Sequence, residues 1–175
     1  MQLKLFANSG IAKELARTEH GGDSRRGLRK LERPVSTRRP IHVTLHSTRA
    51  RGSWSLLRHR REVREALLRC ARRSDIKVYA FANVGSHLHL LVRARQRPQF
   101  QAFLRSFSGI VARVVTGARR GRPLSGGAFW NGLAWSRVIT WGREYKAVRH
   151  YIYRNRIEGA LGPAVRRALE NGPAP

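Results

Sequence analysis

The strongest constraint on the fold is an ordered change in hydrophobic period from residue 41 onward. Ile41-His42-Val43-Thr44-Leu45 alternates apolar and polar residues, which predicts a strand with one buried face. From His59 to Arg73 the apolar residues Val63, Leu67, Cys70 and Ala71 recur at helical spacing among charged ones, predicting an amphipathic helix. Ile76 to Asn83 reads as a second strand, Gly85-Ser86 as a turn, and His87 to Arg93 as a third strand hairpinned to the second. Pro98 opens a second helix whose apolar face carries Phe100, Phe103, Leu104, Phe107, Val111, Val114 and Val115, with Gly117 as its cap. After a Gly- and Arg-rich loop, 117 to 132, come a short strand near Ser136 to Thr140 and a last helix from about Arg143 to Gly159, ended by Gly162-Pro163.

The resulting order, β-α-β-β-α-β-α, predicts an α+β class chain. It matches a ferredoxin-like sandwich, one antiparallel sheet with helices packed on it, better than a doubly wound sheet. Three segments are expected: a basic, poorly structured N-terminal arm over 1–40, a folded domain over 41–162, and a C-terminal tail over 163–175.

Charge narrows the partner. Lysine plus arginine number 36 against 10 acidic residues, a formal net charge of +26, while 41% hydrophobic residues suffice for a packed core. A surface so charged repels itself, and a polyanion relieves that repulsion. Nucleic acid is favoured over an anionic membrane, because no apolar stretch of spanning length and no clean basic amphipathic helix is visible. The single cysteine, Cys70, excludes an internal disulfide and a cysteine-based zinc site. No secretory signal is apparent, so a cytoplasmic location is expected.

Two residue sets bear chemistry. In Ser86-His87-Leu88-His89-Leu90-Leu91-Val92 the strand period places His87 and His89 on one side and Leu88, Leu90 and Val92 on the other. Two imidazoles so placed can share a metal ion, although the spacing fits a pair of packed surface histidines equally. On the last helix, Tyr151 and Asn155 stand four residues apart, about 40° around the axis, beside the core stripe of Tyr145, Val148 and Ile152. Tyr153 and Tyr145 point about 160° and 120° away from Tyr151, so one site cannot take all three tyrosines. His42 and His46 share a face of the neighbouring strand and fit either packing or support of the pair. Glu144 is a weaker candidate for a metal or water contact.

These elements together resemble the REP-associated tyrosine transposases, a branch of the single-strand transposases within the His-hydrophobic-His (HUH) endonuclease superfamily. The resemblance spans about residues 41 to 161. It rests on His42-Val43-Thr44-Leu45, the His87-Leu88-His89-Leu90-Leu91-Val92 strand, Phe129-Trp130, Tyr151-Ile152-Tyr153-Arg154-Asn155, and Glu158-Gly159-Ala160-Leu161. Ser86 stands where these proteins have Asn, and Arg156 where they have Pro. The resemblance implies a metal-dependent single-strand DNA endonuclease and strand transferase. Tyr151 would be the nucleophile that forms a 5′-phosphotyrosine, and His87, His89 and Asn155 would hold Mg²⁺ or Mn²⁺. It also implies hairpin-forming single-stranded DNA as substrate and a monomer, with a dimer, as in related single-strand transposases, as the alternative. Arg38, Arg39, Arg119, Arg120 and Arg122 are expected to contact the DNA backbone, and Trp130 to stack on unpaired bases. The alternatives are a non-catalytic, basic nucleic-acid-binding protein of the same fold and, more distantly, an RNA-binding module.

Overall fold

The computed structural model describes residues 18–22, 32–119, 121–122 and 124–170, with the backbone alone for 161–170. Among the described residues five strands and three long α-helices follow one another: β1 (Glu19–His20), β2 (Ile41–His46), α1 (Arg60–Arg73), β3 (Ile76–Asn83), β4 (His87–Ala94), α2 (Arg97–Thr116), β5 (Trp135–Val138) and α3 (Arg143–Glu170). The strands form one sheet in the order β1-β5-β2-β4-β3, with every neighbouring pair antiparallel. β2-α1-β3 crosses over β4, and β4-α2-β5 crosses over β2. These two interleaved β-α-β units make the ferredoxin-like α+β sandwich that the order of periods predicts.

Alternation decides what each face of the sheet meets. Ile41, Val43 and Leu45 of β2 and Leu88, Leu90 and Val92 of β4 turn to one side. There they join Val63, Leu67 and Cys70 of α1 and Phe100, Phe103, Phe107 and Val111 of α2 in the main core. Each large side chain buried in this way contributes about 1.5–3 kcal/mol. α2 is well delimited: Gln96 and Gln99 form a reciprocal capping box, a proline sits in the first turn, and Gly117 closes the helix in the left-handed region at φ 69°. The opposite face of the sheet carries a second, smaller core, in which Ala82, Leu91, Ile139 and Ile152 meet Tyr145 and Val148 of α3. Beside α3 this face carries His42 and His89, which are buried, and His46 and His87, which are half-buried.

Three features differ from the expectations. β1 lies within the predicted arm, pairing Glu19 with Arg137 and His20 with Ser136. Arg33 then staples the arm to the sheet, donating to Ser136 Oγ and, at 2.8 Å, to the Ala134 carbonyl. A two-residue strand has no period to read, and a half-buried, hydrogen-bonded arginine looks like any other charge in a sequence. Second, α3 continues to Glu170 through Gly162-Pro163. A proline removes one helical hydrogen bond without obliging the chain to leave the helix. Third, β3 is bulged between Val78 and Ala80. Val78 and Phe81 pack against the main core while Tyr79, Ala80 and Ala82 belong to the α3 side, so two successive residues share a face. Among the described residues no helix is long and apolar enough to cross a membrane.

Candidate active site

The face beside α3 gathers imidazoles because the β2–β4 register is set by the apolar residues beneath. With Val43 opposite Leu90 and Leu45 opposite Leu88 in the core, Thr44 falls opposite His89 and His46 opposite His87 on the other face. His87 and His89 lie with ring centroids 6.0 Å apart and planes within 5° of parallel. His46 stacks on His87 at 4.1 Å, and His42 lies 5.9 Å from His89. All four histidines of these two strands therefore share one surface.

The rings are held by neighbours at Nδ1. Ser86 Oγ is 2.8 Å from His87 Nδ1, and Thr44 Oγ1 is 3.3 Å from His89 Nδ1. Where a hydroxyl accepts from Nδ1–H, the lone pair of the ring lies on Nε2. Ser86, one of the two departures from the resembled pattern, thus contacts the first histidine directly. Asn131 holds a ring of the second row with the opposite polarity, its Nδ2–H donating to His46 Nδ1. Its Nδ2 is 3.1 Å from His46 Nδ1, while its Oδ1 accepts from the Thr48 amide at 2.8 Å. Asn131 escapes sequence reading, because only the folded loop brings it beside His46.

Burial keeps the inner pair uncharged. His89 is pulled down to about 4, first by desolvation and then by His87. His42 is pulled down to about 3 by desolvation, reinforced by His89 and Arg137. Both are neutral at pH 7, the form in which an imidazole donates a lone pair. His42 Nε2 is buried and has no hydrogen-bond partner among the described residues.

α3 brings one tyrosine to this surface. With Ile152 in the core, Tyr151 falls on the histidine side, its ring edge-on to His89 at 5.5 Å and to His42 at 6.2 Å, and it remains 43% exposed. Tyr145 instead joins Tyr79 and Trp141, and Tyr153 lies on the far flank beside Arg156. Asn155 sits one turn beyond Tyr151 and donates Nδ2 to its carbonyl at 2.8 Å. Glu144 is used otherwise: it accepts from the Thr140 amide at 2.7 Å and pairs with Arg137 at 2.9 Å, anchoring the start of α3 to β5. Among the described residues no three His, Cys, Asp or Glu side chains converge to hold a metal ion.

The expected DNA-contacting residues are scattered. Arg38 and Arg39 are exposed in a turn held by Ser36, close to Trp141, which donates Nε1 to the Arg38 carbonyl at 2.9 Å. Arg119 and Arg122 are exposed and pair through their backbones in a tight turn, and Arg120 lies outside the described residues. Trp130 is half-buried: it packs against Phe129 and donates Nε1 to the Ser108 carbonyl at 3.0 Å, so its indole closes the core. Arg49 is likewise structural, holding the 117–132 loop through the Gly127 and Ser125 carbonyls, each at 2.7 Å.

No protein-family model and no curated protein matches the sequence. Among solved structures the chain is similar to a REP-associated tyrosine transposase bound to a REP hairpin, at 16% identity and a TM-score of 0.55, over 85% of this chain and 89% of that one. It also matches a Deinococcus radiodurans R1 protein assigned as a transposase, at 18% identity and a TM-score of 0.44, over 73% of this chain and 98% of that one. The first of these likenesses shows a shared fold.

Proposed function

We propose that this protein is a single-strand DNA endonuclease and strand transferase whose nucleophile is Tyr151, with residues 41–162 as the catalytic unit. The observation that carries this reading is the placement of Tyr151, alone among the α3 tyrosines, edge-on to His89 on a surface of four histidines. The shared fold supports it, since the similar structure is that of a tyrosine transposase bound to a DNA hairpin.

In this reading the Tyr151 oxygen attacks the scissile phosphorus, and the bond from phosphorus to the 3′ oxygen breaks. The products are a 5′-phosphotyrosine and a free 3′-hydroxyl, and one covalent bond has replaced another, so the step is reversible and permits strand transfer. A free phenol has a pKa of about 10, and its proton must leave. His42 and His89 are too weakly basic at neutral pH to take it, whereas the exposure of Tyr151 opens a route to solvent. A divalent cation such as Mg²⁺ or Mn²⁺ would be held by His87, His89 and Asn155, with phosphate and water oxygens completing its shell. When bound it would supply positive charge to neutralise the phosphate. Arg38, Arg39, Arg119, Arg120 and Arg122 then serve the duplex stem through its phosphates, and the protein acts as a monomer.

The test is a denaturing gel with labelled single-stranded hairpin DNA and Mn²⁺. A covalent protein–DNA adduct is expected for wild type and Tyr153→Phe and should vanish for Tyr151→Phe. An adduct that persists in Tyr151→Phe overturns the assignment. Tight binding with no adduct under any divalent metal favours the non-catalytic alternative.

A further inference from the structure

α3 has a second flank with a different chemistry. Between α3 and the outer strand β3 runs a trough of about 430 Å³, lined among others by Tyr79, Lys146, Arg149, His150, Tyr153 and Arg156. No carboxylate lines it, and among the described residues none pairs with Lys146, Arg149 or Arg156. Its aromatic residues are positioned. The β3 bulge delivers Tyr79 to this side, and Trp141 and Tyr145 hold its ring edge-on at 5.6 and 5.7 Å. Tyr153 is 53% exposed, with the Arg156 guanidinium 5.7 Å from its ring centre.

Fixed aromatic faces interleaved with unpaired cations suit a chain that alternates planar bases and phosphates. In a duplex the base faces are hidden, so the complement is an unpaired strand. We infer that this trough binds single-stranded nucleic acid, stacking a base on Tyr153 and neutralising adjacent phosphates with Arg149 and Arg156. The inference rests on the proposed nucleic-acid partner, but the trough is a different place from the candidate active site. Ile152 points into the sheet between Tyr151 and Tyr153, so the two tyrosines occupy opposite flanks of α3. A strand crossing the helix, about 10–12 Å wide, would meet both, with the trough gripping nucleotides away from the scissile phosphate.

Fluorescence anisotropy separates the possibilities, using the full chain without added metal, a labelled oligo(dT) and a blunt hairpin with no unpaired flank. Tyr153→Ala should weaken oligo(dT) binding about tenfold or more, and Tyr153→Phe should keep it. The double variant Arg149→Ala/Arg156→Ala should lower the log–log salt slope for oligo(dT) by about 1.4, two phosphates at about 0.7 each. Blunt-hairpin affinity should stay within about twofold for Tyr153→Ala. Unchanged oligo(dT) affinity and slope overturn the inference, as does an equal loss on both ligands, which would mark a general charge effect or a duplex site. The readout needs no cleavage, so failure of Tyr151 to form an adduct overturns the proposed reaction and leaves this trough standing, and the converse holds.

Discussion

Gly159 gives the sharpest test of how α3 is seated. A Cβ built there would lie 2.4 Å from the Asn83 carbonyl oxygen and 3.3 Å from Val84 Cα, so the helix rests on the backbone of the β3–β4 turn. Gly109, inside α2, has nothing within 4 Å of the same position. In both helices a Gly→Ala change should gain about 0.8–1 kcal/mol of helix propensity. At Gly109 nothing opposes that gain. At Gly159 the obstacle is a backbone carbonyl, which cannot rotate away, and overpacking of this kind costs about 1–3 kcal/mol. The two substitutions should therefore differ by about 1–3 kcal/mol. For a chain of this size that is a gap of about 2–12 °C in melting temperature, read by calorimetry. Gly159→Ala should also lower adduct yield more than stability explains, because a displaced α3 moves Tyr151 relative to His89, and a 1 Å misplacement can cost about a hundredfold. If both substitutions raise the melting temperature equally, α3 does not approach the turn as described.

Other expectations follow from the same contacts. His42 and His89 titrate at about 3 and 4 in the fold, against an ordinary value of 6.5, so the unfolded chain takes up protons that the fold refuses. Stability of the metal-free protein should be full above about pH 7 and fall as pH drops through 6.5. The loss is about 2 kcal/mol at pH 5 for His42 and about as much for His89, so His42→Gln should roughly halve the fall of the urea midpoint between pH 7.5 and 5. A flat wild-type profile would contradict the burial of these rings. Arg33→Met removes both donors that staple the arm to β5 and should cost about 1.5–3 kcal/mol, with earlier proteolysis before residue 40; unchanged proteolysis would mean that the arm is held by something else. Ser86→Ala strips the hydroxyl from His87 Nδ1 and should weaken Mn²⁺ binding about 10–100-fold by calorimetry, with oligo(dT) affinity unaltered. Undiminished Mn²⁺ affinity would show that this hydroxyl does not orient the ring.

Side-chain direction is legible in the periodicity alone. Period two along 41–45 and 87–93 assigns core and open faces correctly, placing His87 and His89 together and Leu88, Leu90 and Val92 beneath. Helical angles measured from Tyr145, Val148 and Ile152 separate Tyr151 from Tyr153 and Tyr145. The bulge is only partly legible: the core residues Val78 and Phe81 are three apart where an unbroken strand would space them by two.

Local periodicity thus settles the longer elements from residue 41 onward and, outside the β3 bulge, the face each residue shows, because it is written residue by residue into the chain. Whatever depends on two distant segments at once is settled only when those segments pack. The register that sets His46 on His87 and Thr44 on His89 is of this kind, as is the seating of α3 on Asn83 through Gly159. So are the roles of Arg33 and Arg49, two among many basic residues in the chain, which the fold uses as staples. Register and docking height are fixed by the joint packing of both partners, and no single segment carries that information.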